Sequence, residues 1–145
     1  MPPVGTTIVL VEDSDEDAEL TVHAFSEAGV DARFVRLRDG SEAIDYLLGK
    51  DAGHAPEAVL LDLRMPRVDG FAVLSALQAD ERTREIPVIV MTTSADDEDR
   101  LRAYQNGAVG FVRKPLNHRE FVRAYTTMDL HWSAALAAFG QPERR

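Results

Sequence analysis

The sequence predicts an α/β domain built on a parallel sheet with helices on both faces. Two runs of consecutive apolar residues, 8–11 and 58–61, are rich in valine, isoleucine and leucine, which is typical of strands buried on both faces. Strand-like and helix-like segments alternate five times along the chain, without internal repeats or low-complexity stretches. Because alternation of this kind is typical of successive βα units, we expect five parallel strands covered by helices.

Each predicted strand is a short run of apolar and β-branched residues between turn-forming residues. The predicted strands cover residues 7–11, 32–37, 58–63, 87–92 and 110–113. In the second of them, phenylalanine and valine alternate with arginines. Segment 49–56 contains two glycines and a proline, so we expect a loop before the third strand.

The predicted helices are recognised by their apolar faces and by signals at their ends. They cover residues 15–28, 41–48, 71–79, 97–106 and a last segment from 117 or 118 to about 139. Ser14 or Asp15 would cap the first helix, and the acids at 96–99 suit the positive end of the fourth helix dipole. Gly29 and Gly107 directly follow two of the helices, where a left-handed cap favours glycine.

The order of the strands follows from the connections between them. Five parallel strands joined by right-handed crossovers leave few topologies, and the flavodoxin-like order 2-1-3-4-5 is the leading one. In this order the first and third strands are neighbours, and ligands bind outside the carboxyl ends of the strands. We therefore predict a flavodoxin-like, doubly wound, five-stranded parallel sheet with an extended C-terminal helix.

The composition narrows the class of protein. The chain has 145 residues, which fits one domain, and 45% of them are hydrophobic. Its 25 acidic residues outnumber 16 basic ones, and the net charge of −9 would repel nucleic acid and anionic membrane surfaces. The absence of cysteine excludes disulfides and thiolate chemistry. No signal peptide or membrane-spanning run is recognisable, so we expect a cytoplasmic protein without nucleic-acid or membrane partners.

Polar residues stand at the carboxyl ends of four predicted strands. Glu12 and Asp13 follow the first strand, Asp62 lies in the third, Thr92 ends the fourth, and Lys114 follows the fifth. Three neighbouring carboxylates are costly unless a proton or a cation relieves their repulsion, and oxygen ligands suit Mg²⁺. Each residue alone has an ordinary alternative as a capping acid, a β-branched strand residue or a solvent-exposed lysine.

Together the same residues match the needs of an acyl phosphate, which are a nucleophile, a cation, a hydroxyl donor and an ammonium group. Asp62 would be the nucleophile, Glu12 and Asp13 would hold the cation, and Thr92 and Lys114 would bind phosphoryl oxygens. A cis peptide bond between the lysine and the proline after it would aim the ammonium inward, but the sequence alone leaves cis and trans open.

The chain resembles the receiver domain of response regulators in two-component signalling over about residues 7–128. The matching motifs are Glu12-Asp13, Asp62, Met65-Pro66, Asp69-Gly70, Thr92 and Lys114-Pro115. The resemblance implies that a histidine kinase transfers a phosphoryl group to Asp62. It also implies a signalling protein rather than an enzyme, although such a protein assists the formation and hydrolysis of its own acyl phosphate.

The resemblance assigns roles to the residues around the phosphoacceptor. The implied Mg²⁺ ligands are Glu12, usually through water, Asp13, Asp62 and the backbone carbonyl of Arg64. Thr92 and Lys114 would contact the phosphoryl oxygens, and Phe111 would change rotamer together with Thr92. Phe111 stands where many members have tyrosine, so an output contact through a hydroxyl is lost. Arg64 and Ser94 hold positions that tune the access of water to the phosphoaspartate.

Three features make the chain similar to the single-domain regulators that serve bacterial phytochromes. They are the segment 92–99, the long loop before the third strand and the tryptophan in the last helix. The likeness implies a photoreceptor histidine kinase of the phytochrome type as partner, and a signalling module without an output domain of its own.

The last helix carries a further expectation. We predict that residues 1–129 form the receiver domain and that 130–145 are a helical extension of it. Apolar residues at 121, 125, 128, 132, 135 and 139 follow the 4-3-4-3-4 spacing of a helix-pair seam. About 20 helical residues span roughly 30 Å, beyond the expected reach of the domain. We therefore expect Trp132, Leu136 and Phe139 to be exposed and to form a homodimer interface.

Other functions fit the sequence less well. A receiver-like adaptor that signals by protein binding without phosphorylation would be favoured by loss of the acids or of Lys114, and none is lost. An aspartate-nucleophile phosphatase usually carries a second acid two residues after its nucleophile, where this chain has Arg64. A flavin carrier would need a phosphate-cradling loop after the first strand, which the sequence lacks. The adaptor is the alternative to the phosphorylated module.

Overall fold

The structure is a computed structural model that describes residues 5–50, 52–65, 68–93 and 96–139, with the backbone alone over 136–139. Within these residues the strands are β1 (Thr7–Val11), β2 (Arg33–Leu37), β3 (Ala58–Asp62), β4 (Val88–Thr92) and β5 (Gly110–Arg113). The helices are α1 (Asp15–Glu27), α2 (Gly40–Leu48), α3 (Gly70–Ala79), α4 (Asp97–Gln105) and α5 (His118–Phe139). None of the helices in the described ranges is long and apolar enough to cross a membrane.

The strands form one parallel sheet in the order β2-β1-β3-β4-β5, which confirms the predicted flavodoxin-like topology. In β1, Val9 lies opposite Val35 of β2 on one side and opposite Val59 of β3 on the other. β3 and β4 are buried along their whole length, which explains why their sequences show no alternation of polar and apolar residues. The carboxyl ends of β1 and β3 are therefore neighbours.

Caps set the boundaries of the helices, which differ from the predicted ones by no more than one residue. Ser14 Oγ accepts a hydrogen bond of 3.2 Å from the N–H three residues later, and α1 begins directly after it. Asp39 caps α2 in the same way at 2.9 Å, so this helix begins one residue earlier than predicted. The φ angle of Gly107 is 102°, which confirms the left-handed conformation predicted after α4, and Gly29 after α1 has a φ angle of 77°.

The sheet separates two apolar clusters. Val9 and Val59 face one cluster, which is completed by side chains of α2, α3 and α4. Leu10 and Leu60 face the other, which is completed by side chains of α1 and α5. Because successive residues of a strand point to opposite faces, a continuous apolar run supplies both clusters at once.

The last helix corrects one prediction. Trp132 is only 7% exposed and belongs to the apolar cluster under α1 and α5. Its indole N–H donates to the carbonyl of Glu57 at 3.0 Å. The length of the domain estimated from five strands left out the loop before β3. In this loop the N–H of Glu57 donates to the carbonyl of Thr7, and Glu57 lies under α5, where it accepts the hydrogen bond from Trp132. Trp132 is therefore not exposed, while the side chains of Leu136 and Phe139 lie outside the described part.

Gly70 brings the start of α3 against the end of β3. Its N–H donates to the carbonyl of Leu63 at 3.0 Å. A methyl group at this position would lie 2.5 Å from the carbonyl oxygen of Asp62 and 2.6 Å from the Cα of Leu63. Because both contacts are with backbone atoms, a side chain here would push the two elements apart. The close approach fixes the path of the chain immediately after Asp62.

We expect Gly70→Ala to lower the free energy of unfolding by about 1–3 kcal/mol, since the backbone of β3 or α3 has to move. Urea unfolding measures the change. Gly53→Ala is the matched control, because a methyl group at Gly53 would meet nothing within 4 Å. Equal free energies for the two variants would contradict the close packing at Gly70.

We expect Trp132→Phe to lower the free energy of unfolding by about 1 kcal/mol, because the carbonyl of Glu57 loses its donor. Leu130→Ala serves as the comparison on the same helix, since Leu130 is 66% exposed, and its effect should stay within about 0.5 kcal/mol. A Trp132→Phe variant as stable as the unsubstituted protein would contradict the buried hydrogen bond of Trp132 and indicate an exposed side chain.

Candidate functional site

The carboxyl edge of the sheet collects the polar residues predicted at the strand ends. The N–H of Glu12, which directly follows β1, donates to the carbonyl of Leu37 at 2.9 Å and holds the residue in line with the sheet. Asp62 is the last residue of β3 and pairs in register with Met91 of β4. After β5, the N–H of Lys114 donates to the carbonyl of Thr92, the last residue of β4, at 2.9 Å. The strand order thus places all of these residues on one edge.

Three carboxylates meet at this edge. Glu12, Asp13 and Asp62 each place a carboxylate oxygen so that the three atoms lie within 4.8 Å of one another. Glu12 is fully buried and Asp62 is 3% exposed, whereas Asp13 is open to solvent. A set of carboxylate oxygens with one open side suits a hard divalent cation that keeps some of its water.

Lys114 balances this charge from the end of β5. Its Nζ lies 2.9 and 3.2 Å from the two carboxylate oxygens of Glu12 and 3.2 Å from Oδ2 of Asp62. The side chain is 8% exposed, so the ammonium is withdrawn from solvent into the acidic cluster. The peptide bond between Lys114 and Pro115 is cis, which settles the question that the sequence left open.

Asp17 also contacts Lys114, and the sequence did not single it out. Its Oδ2 lies 3.0 Å from the ammonium nitrogen. Asp17 stands in the first turn of α1, three residues after the capping residue Ser14. The spacing of a helix cap and an acid three residues later is a readable signal, because a side chain at that position can reach back over the helix start. The sequence does not indicate that Asp17 contacts Lys114, which follows β5.

Burial shifts the acidity of the cluster. It raises the pKa of Glu12 from its usual 4.5 to about 7, against the hydrogen bond from Lys114, and the charge of Asp62 raises this pKa further. Burial also raises the pKa of Asp62, while the charge of Lys114 opposes the shift. For Lys114, burial alone would lower the pKa, but the hydrogen bonds to Glu12 and Asp17 and the charge of Asp62 raise it.

The sign of the linkage follows from the raised pKa of Glu12. A carboxyl group that is less acidic in the folded state stabilises the fold below its unfolded pKa of 4.5 and loses that contribution as the pH rises through about 7. Above about pH 7, where Glu12 is ionised, the three carboxylates carry more negative charge than the single ammonium of Lys114 offsets. A divalent cation at the three carboxylates would relieve the excess.

The two residues assigned to the switch lie on neighbouring strands. Thr92 is fully buried at the end of β4, and Phe111 of β5 is 3% exposed within the cluster that faces α4. The guanidinium carbon of Arg100, on α4, stands 5.4 Å from the centre of the Phe111 ring. The aromatic ring therefore connects β5 with α4.

Arg64 connects the loop after β3 with the same helix. Its N–H donates to Oδ1 of Asp62 at 3.1 Å. Its guanidinium forms an ion pair with Asp99 in the first turn of α4. Asp99 is the more buried partner, with 12% of its side chain exposed against 61% for Arg64. Ser94, which was expected to tune the access of water, lies outside the described residues, as does Pro66 of the predicted motif.

The sequence family of the chain follows from comparison with known proteins. The family model described as response regulator receiver domain matches residues 8–126. A curated protein from Methanothrix harundinacea, named "Probable methanogenesis regulatory protein FilR2", is 43% identical over 127 residues, which are 86% of this chain and 82% of that protein.

Solved structures with the same fold include regulators of phytochromes. The bacteriophytochrome response regulator AtBRR superposes with a TM-score of 0.76 at 37% identity, over 88% of this chain and 94% of its own. The Mn²⁺-bound form of response regulator Rcp1 superposes with a TM-score of 0.71 at 27% identity, over 90% of this chain and 92% of its own. With most of its length matched by one family model and the acids of three elements gathered around one lysine, the chain belongs to the response regulator receiver domains.

Proposed function

We propose that this protein accepts a phosphoryl group from a histidine kinase on Asp62 and relays the signal by a change of conformation. The observation that carries the proposal is the placement of Asp62, which is 3% exposed, beside the ammonium of Lys114 and the carboxylates of Glu12 and Asp13. A buried aspartate with a lysine and a cation site on its flanks has the groups that phosphoryl transfer requires.

The chemistry follows from the contacts of the two carboxylate oxygens of Asp62. Oδ1 accepts the N–H of Arg64 and Oδ2 faces Lys114, so the carboxylate is held at both oxygens. In the transfer, one oxygen forms the bond to phosphorus and the bond from phosphorus to the imidazole nitrogen of the kinase breaks. The electron pair of that bond returns to the nitrogen, and the imidazole, which carries a proton on its other ring nitrogen, leaves as a neutral base. The Lys114 ammonium and the Thr92 hydroxyl would then stabilise the phosphoryl oxygens.

We assign the cation as Mg²⁺. Carboxylate and carbonyl oxygens are its preferred protein ligands, and its retained waters need an open side such as the one at Asp13. The ligand set would be Glu12, in part through water, Asp13, Asp62 and the backbone carbonyl of Arg64. When bound, the ion would neutralise charge on the phosphoryl oxygens. The similar regulator Rcp1 has been solved in a Mn²⁺-bound form, which supports a divalent cation in this protein.

The relay would reach α4 by two connections. The first is Thr92 with Phe111, whose ring lies under Arg100 of α4. The second is the ion pair of Arg64 with Asp99. A phosphoryl group on the neighbouring Asp62 would attract both the Thr92 hydroxyl and the Arg64 guanidinium, and so weaken the present attachment of α4. The surface of α4, β5 and α5 is therefore where we place the output.

The partner that we propose is a histidine kinase of the phytochrome type. Its support is the similarity to the bacteriophytochrome regulator AtBRR along 88% of this chain. We also propose a homodimer through the end of α5. Leu130, which is 66% exposed on this helix, offers an apolar side chain to a second copy, and the apolar residues Leu136 and Phe139 follow it in the sequence.

We expect acetyl phosphate with Mg²⁺ to add one phosphoryl group to the protein, as read by intact mass. The adduct should be absent from Asp62→Asn and absent when Mg²⁺ is removed with a chelator, because the nucleophile or the counter-charge is then missing. Asp69→Asn, at the cap of α3, is a control that removes a nearby carboxylate outside the cluster. An unmodified wild-type protein that also fails to bind a beryllium fluoride mimic would favour the phosphorylation-independent adaptor.

We expect the full chain to be a dimer in light scattering and a chain ending at Ser133 to be a monomer. This truncation removes Leu136 and Phe139 and keeps the buried Trp132 and the other described core residues. Urea unfolding of the truncated chain is the control for its stability. A truncated chain that still dimerises would place the interface elsewhere, and a full chain that stays monomeric at high micromolar concentration would remove it.

A further inference from the structure

The carboxylates around Lys114 are of two kinds. Glu12 and Asp62 belong to the three-carboxylate cluster that suits a divalent cation. Asp17 lies outside that cluster, although its Oδ2 is 3.0 Å from the same ammonium. Glu12 and Asp62 are thus shared between Lys114 and the cation site, whereas Asp17 contacts Lys114 and is not part of the cation site.

This difference matters when a cation is present. The cation site and the Lys114 ammonium share the carboxylates of Glu12 and Asp62, so binding of the cation would weaken the hold of these acids on the lysine. Asp17 is the described carboxylate in contact with Lys114 that keeps its full charge for the lysine in that state. Without such a partner, a long flexible side chain would lose its fixed position at the moment when phosphoryl transfer needs it.

The backbone around Asp17 is well fixed. Its N–H donates to the capping Ser14 Oγ at 3.2 Å, and its carbonyl accepts the hydroxyl of Thr21 at 3.0 Å. Thr21 is buried, with 2% exposed. The side chain of Asp17 therefore starts from a rigid helix turn, and it can hold an ammonium in one place rather than follow it.

The other acids in the first turn of α1 have different surroundings. Asp15 forms ion pairs with Arg36 and Arg38 and so attaches the start of α1 to the end of β2. Glu16 is exposed. The ordinary reason for acids here, the positive end of the helix dipole, applies to all three alike. It does not explain why Asp17 points at a lysine that is 8% exposed.

We propose that Asp17 is a positioning residue that holds Lys114 at the phosphoryl site while a divalent cation occupies Glu12 and Asp62. The proposal rests on the proposed phosphorylation of Asp62. It assigns to Asp17 a role in the rate of phosphoryl transfer, exerted through Lys114 and not through contact with the phosphoryl group or the cation.

The test compares Asp17→Asn with Glu16→Gln. Both variants remove one negative charge from the first turn of α1, so helix dipole and net charge change equally. The initial rate of phosphorylation by acetyl phosphate is measured by intact mass at saturating Mg²⁺. We expect Asp17→Asn to be slower by about tenfold, the size of a hydrogen bond to a charged group, and Glu16→Gln to stay within about twofold of wild type. Equal rates for the two variants would overturn the proposal.

A double-mutant cycle separates positioning from a general effect on the fold. In a Lys114→Met background, Asp17→Asn should cause no further loss beyond about twofold, because its partner is already gone. If the background is too slow for mass detection, calorimetric binding of beryllium fluoride with Mg²⁺ to the same four proteins gives the cycle. A full loss that persists without Lys114 would refute action through the lysine.

The outcomes also distinguish this proposal from the proposed function. A wild-type protein that is not phosphorylated and does not bind beryllium fluoride would overturn both. A wild-type protein that reacts normally, together with an Asp17→Asn variant that reacts as fast as Glu16→Gln, would overturn the role of Asp17 alone.

Discussion

The buried ammonium of Lys114 is the interaction on which the site depends. It lies within 3.2 Å of carboxylate oxygens from Glu12, Asp17 and Asp62, which come from the end of β1, the start of α1 and the end of β3. Acids packed this closely out of water are tolerated only when an opposite charge accompanies them, and leaving one partner unpaired is strongly destabilising. Burial raises the pKa of Glu12 against the hydrogen bond from Lys114, and the charge of Asp62 raises it further. A cation would relieve the repulsion between the acids.

The rest of the structure brings these charges together. The order β2-β1-β3-β4-β5 places the ends of β1 and β3 next to each other, although Glu12 and Lys114 are 102 residues apart in the sequence. Close packing at Gly70 fixes the chain after Asp62, and the cap at Ser14 fixes the first turn of α1. Arg64 joins the same loop to α4 through Asp99. A change of charge at Asp62 would therefore reach an element that is attached in part by an ion pair, which is a physical basis for the proposed switch.

The sequence predicted the features that depend on local pattern and on strand order. Apolar runs that end in acids indicated both the buried strands and the edge where Glu12 and Asp62 meet, since parallel strands align their carboxyl ends. It failed where long side chains find partners far along the chain. Neither the pairing of Arg64 with Asp99 nor that of Asp17 with Lys114 is visible in residue spacing. Trp132 was misplaced for the same reason, because its hydrogen bond to Glu57 depends on a loop whose path the pattern does not define.

Competition between Lys114 and a cation for the oxygens of Glu12 and Asp62 is the central claim, and calorimetric Mg²⁺ binding tests it most directly. The comparison is between the wild-type protein, Lys114→Met, and Lys50→Met, which removes a positive charge at an exposed residue before β3. At pH 8, above the raised pKa of Glu12, we expect Lys114→Met to bind Mg²⁺ severalfold more tightly than the wild-type protein, with Lys50→Met close to wild type. Unchanged or weaker binding by Lys114→Met would contradict this competition for the two carboxylates.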